Sequence, residues 1–126
     1  MDKKKILLVD DEPDLVEFVK LRLEANNYDV LVAEDGEKVF EVLAQNIPDL
    51  IILDIVLPKM DGNKVCELLK KDQRLAKIPV LMLTARDRQE DIRLAKKCGA
   101  DGYIIKPFDA RILLFDIKNL LEKQAI

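Results

Sequence analysis

Apolar residues gather into five short runs, separated by longer segments that mix apolar and polar positions. The runs cover residues 6–9, 28–32, 50–53, 80–83 and 102–105. Those at 6–9, 50–53 and 80–83 are apolar throughout, which is typical of parallel strands covered on both faces. Asp29 interrupts the second run, so we predict that this strand is less buried and lies at an edge of the sheet.

The segments between the runs have the period of amphipathic helices. Pro13 suits the first turn of a helix, and Gly99 suits the end of one. The Asp-Gly pair at 61–62 predicts a turn, and Pro48 and Pro79 lie just before predicted strands. Strict alternation of strands and helices requires parallel pairing with right-handed crossovers. The sequence therefore predicts an α/β fold, a flavodoxin-like doubly wound (βα)5 three-layer sandwich with a five-stranded parallel sheet in the order 2-1-3-4-5.

Composition narrows the possible functions. The 126 residues fit one domain, and 21 basic against 24 acidic side chains give a net charge of −3, which disfavours direct binding of nucleic acid. We see neither a membrane-spanning run nor a signal peptide, so we expect a cytoplasmic protein. The chain has no histidine, which excludes a histidine general base or phosphohistidine within it. Cys66 and Cys98 lack a CxxC spacing and are expected to be reduced and packed.

Polar residues follow the predicted strands at one edge of the sheet. They are Asp10 and Asp11 after the first strand, Asp54 after the third, Thr84 at the end of the fourth and Lys106 after the fifth. Ligands of such sheets bind beyond the carboxyl ends of the strands. Two carboxylates ~4 Å apart repel each other by ~4 kcal/mol at an effective dielectric constant of ~20. Three carboxylates at one edge therefore need a cation to relieve their repulsion. Mg²⁺ suits the site because it binds one or two carboxylates together with waters and phosphate oxygens.

Asp54 is the candidate nucleophile of this cluster. A single strand-end aspartate more often caps a helix, but acids, a hydroxyl and a lysine together favour a reactive site. A carboxylate is ionised at neutral pH and can attack a phosphoryl group without a general base. Thr84 and Lys106 are suited to bind the phosphoryl oxygens, while Mg²⁺ neutralises their charge. The residues therefore predict uptake of phosphate as an acyl phosphate.

The same positions carry a family resemblance. The motifs are VDDE at 9–12, LDIVLP at 53–58, MDG at 60–62, LTA at 83–85, GADGY at 99–103 and KPF at 106–108. In this order and spacing, from about residue 5 to 123, the chain resembles the receiver domain of bacterial two-component response regulators. The resemblance implies a single receiver domain over residues 1–126 with no output domain. It also implies a phosphoacceptor that catalyses only its own phosphorylation and dephosphorylation.

The resemblance assigns roles to the acidic residues. It implies that Asp54 is the phosphoacceptor. Asp11, Asp54 and the main-chain carbonyl of Val56 are the implied ligands of Mg²⁺, for which Mn²⁺ can substitute, and Asp10 is implied to act through water.

The resemblance also assigns roles to residues of the fourth and fifth strands and implies partners. Lys106 is the implied phosphate-sensing lysine, and Thr84 and Tyr103 form the implied switch pair. The bond between Lys106 and Pro107 is expected to be cis. The implied partners are a histidine kinase or phosphotransfer protein and a downstream protein or output domain, with a phosphate-dependent dimer as a further expectation.

Two other functions share parts of this pattern. A flavin-binding electron carrier has the same fold, but its first loop must cradle a phosphate, and Asp-Asp-Glu-Pro at 10–13 would repel one. A phosphatase of the haloacid dehalogenase type also uses an aspartyl nucleophile, but it needs a second Asp two positions on, where this chain has Val56. A receiver-like module that takes no phosphate is a third alternative.

Two residues of the last helix fall outside its apolar stripe. Ile112 and Phe115 point away from the stripe on a helical wheel. The stripe itself holds Leu113, Ile117, Leu120 and Leu121. Isolated exposed apolar side chains are common in soluble proteins. The functional interpretation is that Ile112 and Phe115 form an apolar contact with a partner or a second copy.

Overall fold

The computed structural model describes residues 3–124, and within them strands and helices alternate as predicted. The strands are β1 (Lys4–Val9), β2 (Tyr28–Ala33), β3 (Leu50–Leu53), β4 (Val80–Thr84) and β5 (Gly102–Ile105). The helices are α1 (Pro13–Ala25), α2 (Gly36–Leu43), α3 (Gly62–Lys71), α4 (Gln89–Lys97) and α5 (Ala110–Gln124). None of the helices in this part of the chain has the length and apolarity needed to span a bilayer.

The five strands form one parallel sheet in the order β2-β1-β3-β4-β5, which confirms the predicted topology. Val9 of β1 pairs with Leu53 of β3, and Thr84 of β4 pairs with Ile105 of β5. The strand ends are therefore aligned, and the residues that follow them emerge at one edge. The edge strand β2 is mostly half-buried, with Asp29 exposed, as the interrupted apolar pattern predicts.

Side chains of the central strands pack on both faces of the sheet, which gives the predicted three layers. Successive residues of β1 alternate between two apolar clusters: Leu7 joins one and Leu8 the other. The stripe of α5 lies against the second cluster, with Leu113 1 %, Ile117 0 % and Leu120 9 % exposed. The helical wheel drawn from the sequence thus gives the buried side of α5 correctly.

Three local signals can be compared with the structure. Pro13 is the first residue of α1, and Gly99 follows α4 with a φ of 105°, both as predicted. The prediction of a turn at 61–62 is wrong in detail, because Asp61 caps α3 and Gly62 is its first residue. A Cβ at Gly62 would collide with the carbonyl oxygen of Asp54. Glycine is therefore needed for close approach of two backbones, rather than for a turn.

The two thiols and the proline bond agree with expectation. Cys66 is fully buried, Cys98 is partly buried, and neither forms a disulfide. Burial raises the pKa of Cys66 to about 12, so its thiol stays protonated at neutral pH. The Lys106–Pro107 bond is cis, as the resemblance implies.

Candidate functional site

Asp10 and Asp54 are adjacent acids at the carboxyl edge of the sheet. The Asp10 N–H donates to the carbonyl of Ala33 at 3.2 Å, and the Asp54 N–H donates to that of Val9 at 3.1 Å. These bonds extend the ladders of β1 with β2 and β3 by one residue. Only 2 % of Asp10 and 6 % of Asp54 is exposed, so both carboxylates need partners within the protein.

Lys106 provides the shared partner of these two acids. Its Nζ lies 2.9 Å from Asp10 Oδ2 and 2.9 Å from Asp54 Oδ2, with Glu12 Oε1 at 3.4 Å. The Lys106 N–H donates to the carbonyl of Thr84 at 2.8 Å, which anchors the lysine beside β4. The structure thus brings together the candidate nucleophile Asp54 and Lys106, which lie 52 residues apart in the sequence.

Burial and charge act in opposite directions on this pair of groups. Burial lowers the pKa of Lys106, but the hydrogen bonds and charges of Asp10 and Asp54 outweigh it and hold that pKa above its ordinary value. Burial also raises the pKa of Asp10, opposed by the hydrogen bond from Lys106. The ammonium of Lys106 therefore stays charged across the physiological range and neutralises part of the acidic cluster.

The second oxygen of each buried carboxylate is fixed by the backbone. Asp10 Oδ1 accepts from the Glu12 N–H at 3.0 Å, and Asp54 Oδ1 accepts from the Val56 N–H at 3.1 Å. Each carboxylate therefore faces the backbone with one oxygen and Lys106 with the other. This arrangement holds the Asp54 carboxylate in one orientation before any ligand arrives, which is the preorganisation that catalysis requires.

Asp11 is exposed and does not join the buried pair. Across residues 3–124 no three acidic or thiol side chains surround a common point suited to a metal, and the ammonium of Lys106 lies against both Asp10 and Asp54. The donor set nevertheless fits Mg²⁺: two buried carboxylates already face one cation, and Mg²⁺ commonly takes one or two carboxylates and completes its shell with water.

Thr84 and Tyr103 both contact the backbone of Arg86. Thr84 is fully buried, and its Oγ1 accepts from the Arg86 N–H at 3.4 Å. The hydroxyl of Tyr103 donates to the Arg86 carbonyl at 2.9 Å, and burial raises the pKa of Tyr103, so the donor keeps its proton. The two residues of the predicted switch pair are therefore linked through one residue of the β4–α4 loop.

Sequence reasoning missed two contributors to the site. Glu12 contacts Lys106, and its position directly after Asp10 and Asp11 was an available signal. The linking role of the Arg86 backbone had no sequence signal, because a carbonyl is present at every position.

Ile112 and Phe115 are exposed by 55 % and 64 %, as the helical wheel predicts. Phe115 also borders an open cavity of about 520 Å³ between α5 and the start of β2, next to Tyr28 and Lys118. The two side chains are one turn apart along α5. Phe115 also faces the start of β2, whereas Ile112 does not border that cavity.

The fold and this edge define a class of protein: a parallel five-stranded α/β domain with a preorganised aspartate beside a lysine and a buried threonine. Comparison with known families gives the same class. The response regulator receiver domain family matches the chain over residues 6–118. The chain belongs to this family.

Individual relatives agree with the family assignment. The chain is 42 % identical over 123 residues to the alkaline phosphatase synthesis transcriptional regulatory protein PhoP of Bacillus subtilis, covering 98 % of this chain and 50 % of that protein. It is 44 % identical over 119 residues to the DNA-binding dual master transcriptional regulator RpaA of Synechocystis, covering 94 % and 49 %. The chain thus spans about half the length of these relatives.

Solved structures show the same fold. A CheY-like response regulator receiver domain protein from Methanospirillum hungatei superposes with a TM-score of 0.91 at 31 % identity, covering 98 % of each chain. The chemotaxis response regulator CheY4 of Vibrio cholerae gives a TM-score of 0.88 at 29 % identity, covering 94 % of this chain and 98 % of that one.

Proposed function

We propose that this domain accepts a phosphoryl group on Asp54 and so changes its contacts with a downstream partner. The observation that carries the proposal is the geometry at Asp54: a buried carboxylate, fixed by the Val56 N–H at 3.1 Å, with the Lys106 ammonium at 2.9 Å. Family membership over residues 6–118 supports it.

The transfer proceeds by substitution at phosphorus. A carboxylate oxygen of Asp54 attacks the phosphorus of a partner's phosphohistidine, a P–O bond forms as the P–N bond breaks, and the departing imidazole takes a proton from solvent. Lys106 and the hydroxyl of Thr84 bind the phosphoryl oxygens. Asp10, Asp11, Asp54 and the carbonyl of Val56 would hold Mg²⁺ or Mn²⁺. When bound, the metal neutralises charge on the phosphoryl oxygens.

Intact-mass measurement after incubation with acetyl phosphate tests this proposal. We expect the wild type to gain one phosphoryl group with Mg²⁺ and none after chelation, and Asp54→Asn to gain none. Asp87→Asn is the matched control, because Asp87 is an exposed acid on a loop at the same edge. Equal uptake by Asp54→Asn would refute the assignment, and no uptake by the wild type would favour a receiver that works without phosphate.

The switch follows from the two contacts at Arg86. Thr84 would move toward a bound phosphoryl group and thereby shift the Arg86 backbone, to which Tyr103 donates its hydroxyl hydrogen bond. A change of charge at Asp54 would then alter packing at α4 and β5.

Thr84→Ala tests the switch separately from phosphate uptake. We expect it to take up phosphate while losing most of the phosphate-dependent amide shifts around Tyr103 in a heteronuclear NMR spectrum. Thr84→Ser, which keeps the hydroxyl, should retain those shifts. Normal shifts in Thr84→Ala would contradict the coupling.

The partners follow from the chemistry and from the relatives. We propose a histidine kinase or phosphotransfer protein as the donor in the cytoplasm, and no substrate other than the domain's own Asp54. The relatives named transcriptional regulators are about twice as long. We propose that residues 1–126 form one receiver domain without direct contact to nucleic acid, whose output lies in another segment or protein.

A further inference from the structure

Glu12 occupies an unusual position for its residue type. It is the N-cap of α1, where Ser, Thr, Asp or Asn are preferred because a short side chain can accept a hydrogen bond from the first turn. Its side chain makes no such capping bond. Instead, Glu12 Oε1 lies 3.4 Å from Lys106 Nζ, so its charge is directed at the site rather than at the helix.

Lys106 holds a carboxylate oxygen of an implied metal ligand. Its ammonium is 2.9 Å from both Asp10 and Asp54, and a divalent cation bound at Asp54 would repel it strongly at such range. The ammonium must therefore move while staying close enough to bind a phosphoryl oxygen. Glu12 is its third partner, and the only one of the three that is exposed, with 65 % of its side chain accessible.

We propose that Glu12 is a positioning residue that receives the Lys106 ammonium when a divalent cation binds at Asp54. This inference rests on the proposed function, because it assumes that Mg²⁺ binds at Asp54. Removal of the Glu12 carboxylate would leave the displaced ammonium without an acidic partner. The binding of the divalent cation would then be weaker.

The surroundings permit this movement. Glu12 and Lys106 both border an open cavity of about 510 Å³ beside Leu15 and Phe108, so the ammonium can shift outward without displacing packed side chains. The backbone of Glu12 is held to the site, since its N–H donates to Asp10 Oδ1. Its carboxylate therefore stays within reach of Lys106 although the side chain is exposed.

A double-mutant cycle measured by calorimetric titration with Mg²⁺ at fixed ionic strength tests the proposal. Glu12→Gln should weaken binding about five-fold in the wild-type background. Lys106→Met should bind Mg²⁺ more tightly than the wild type, because it removes the competing charge. In the Lys106→Met background, Glu12→Gln should change binding by less than about 1.5-fold. If Lys106→Met does not fold, Lys106→Gln serves as the second background.

Two controls separate this effect from general loss of charge. Asp14→Asn removes an exposed acid of the same first turn and should leave Mg²⁺ binding nearly unchanged. Asp54→Asn should bind Mg²⁺ much more weakly than the wild type.

The outcomes distinguish the two proposals. If Glu12→Gln weakens binding equally in both backgrounds, or no more than Asp14→Asn, the role of Glu12 is refuted while the proposed function stands. If the wild type binds no Mg²⁺, or Asp54→Asn binds it equally, the proposed function itself fails.

Discussion

Lys106 compensates the charge of the buried carboxylates in this domain. The two shortest contacts of its ammonium, at 2.9 Å, go to Asp10 and Asp54, which are almost fully buried. A carboxylate left unpaired in such a place costs several kcal/mol, so removal of one member of a buried pair is strongly destabilising. The same ammonium that would bind a phosphoryl oxygen thus stabilises the site before phosphate arrives.

We expect the single side chain of Val56 to set the lifetime of an acyl phosphate at Asp54. Val56 lies two residues after Asp54, and 53 % of it is exposed, so its isopropyl group faces solvent. An isopropyl group cannot hydrogen-bond the water that must attack phosphorus, and the side chain of Arg86, two residues after Thr84, has donors only. Both features favour slow hydrolysis.

Val56→Asn should therefore lose its phosphoryl group several-fold faster than the wild type. The measurement is intact mass over time after the phosphodonor has been removed. Ile47→Asn, which replaces an apolar residue of similar exposure (48 %) on another loop, should decay at the wild-type rate. An unchanged rate in Val56→Asn would show that water placement at this position does not limit hydrolysis.

At the scale of elements, the loop between β3 and α3 is fixed by contacts with α2. A Cβ at Gly36 would collide with Met60, so the loop lies directly on the first residue of α2. Lys59 adopts a φ of 67°, and its ammonium lies 3.7 Å from both Asp35 and Glu37. Since Asp54 and Val56 belong to this loop, these contacts help to hold the backbone around Asp54.

A second connection joins elements at the opposite edge of the sheet. Lys70 Nζ donates to the carbonyls of Ala76 and Ile78 at 3.2 and 2.8 Å, and to Asp101 Oδ2 at 2.9 Å. Asp101 in turn accepts from the Val80 N–H at 2.8 Å. One side chain of α3 thereby ties the start of β4 to the start of β5.

Lys70→Met should lower the free energy of unfolding by about 2 kcal/mol, because it leaves two carbonyls and a carboxylate without their charged donor. Urea unfolding followed by circular dichroism measures the change. The matched control is Lys71→Met, since Lys71 is 72 % exposed and pairs with Glu67 at the surface, and we expect a change below about 0.5 kcal/mol. Equal losses in both variants would contradict a structural role specific to Lys70.

At the scale of the whole molecule, the exposed apolar residues of α5 bear on self-association. Ile112 and Phe115 are among the most exposed large apolar side chains of the described residues, and they lie one helical turn apart. We propose that they form an apolar contact between two phosphorylated copies.

Replacing both Ile112 and Phe115 with Ser should abolish phosphate-dependent self-association in sedimentation velocity and leave phosphate uptake intact. The double variant Leu21→Ser/Ile47→Ser removes apolar residues of 60 % and 48 % exposure elsewhere on the surface and should associate normally. If the Ile112/Phe115 double variant associates as strongly as the wild type, these two residues have no role in self-association.

Much of this molecule follows from local rules. Continuous apolar runs predicted buried parallel strands, the interruption at Asp29 predicted the edge strand, and Pro13 and Gly99 marked helix ends, because each of these signals depends on backbone preference or burial period. The alignment of the carboxyl ends followed in turn from parallel pairing, so Asp10, Asp54, Thr84 and Lys106 could be placed at one edge.

Tertiary structure decided what the sequence left open. Asp10 and Asp11 are adjacent acids, and the sequence does not show which of them turns inward. The packing beyond β1 buries Asp10 and leaves Asp11 exposed. The contact of Lys106 with Asp10 joins residues 96 apart in the chain, and the meeting of Tyr103 with the Arg86 carbonyl depends on one rotamer and one loop. Such contacts depend on long-range packing and side-chain conformation, for which local periodicity holds no information, whereas the positions and the burial of the strands are determined by that periodicity itself.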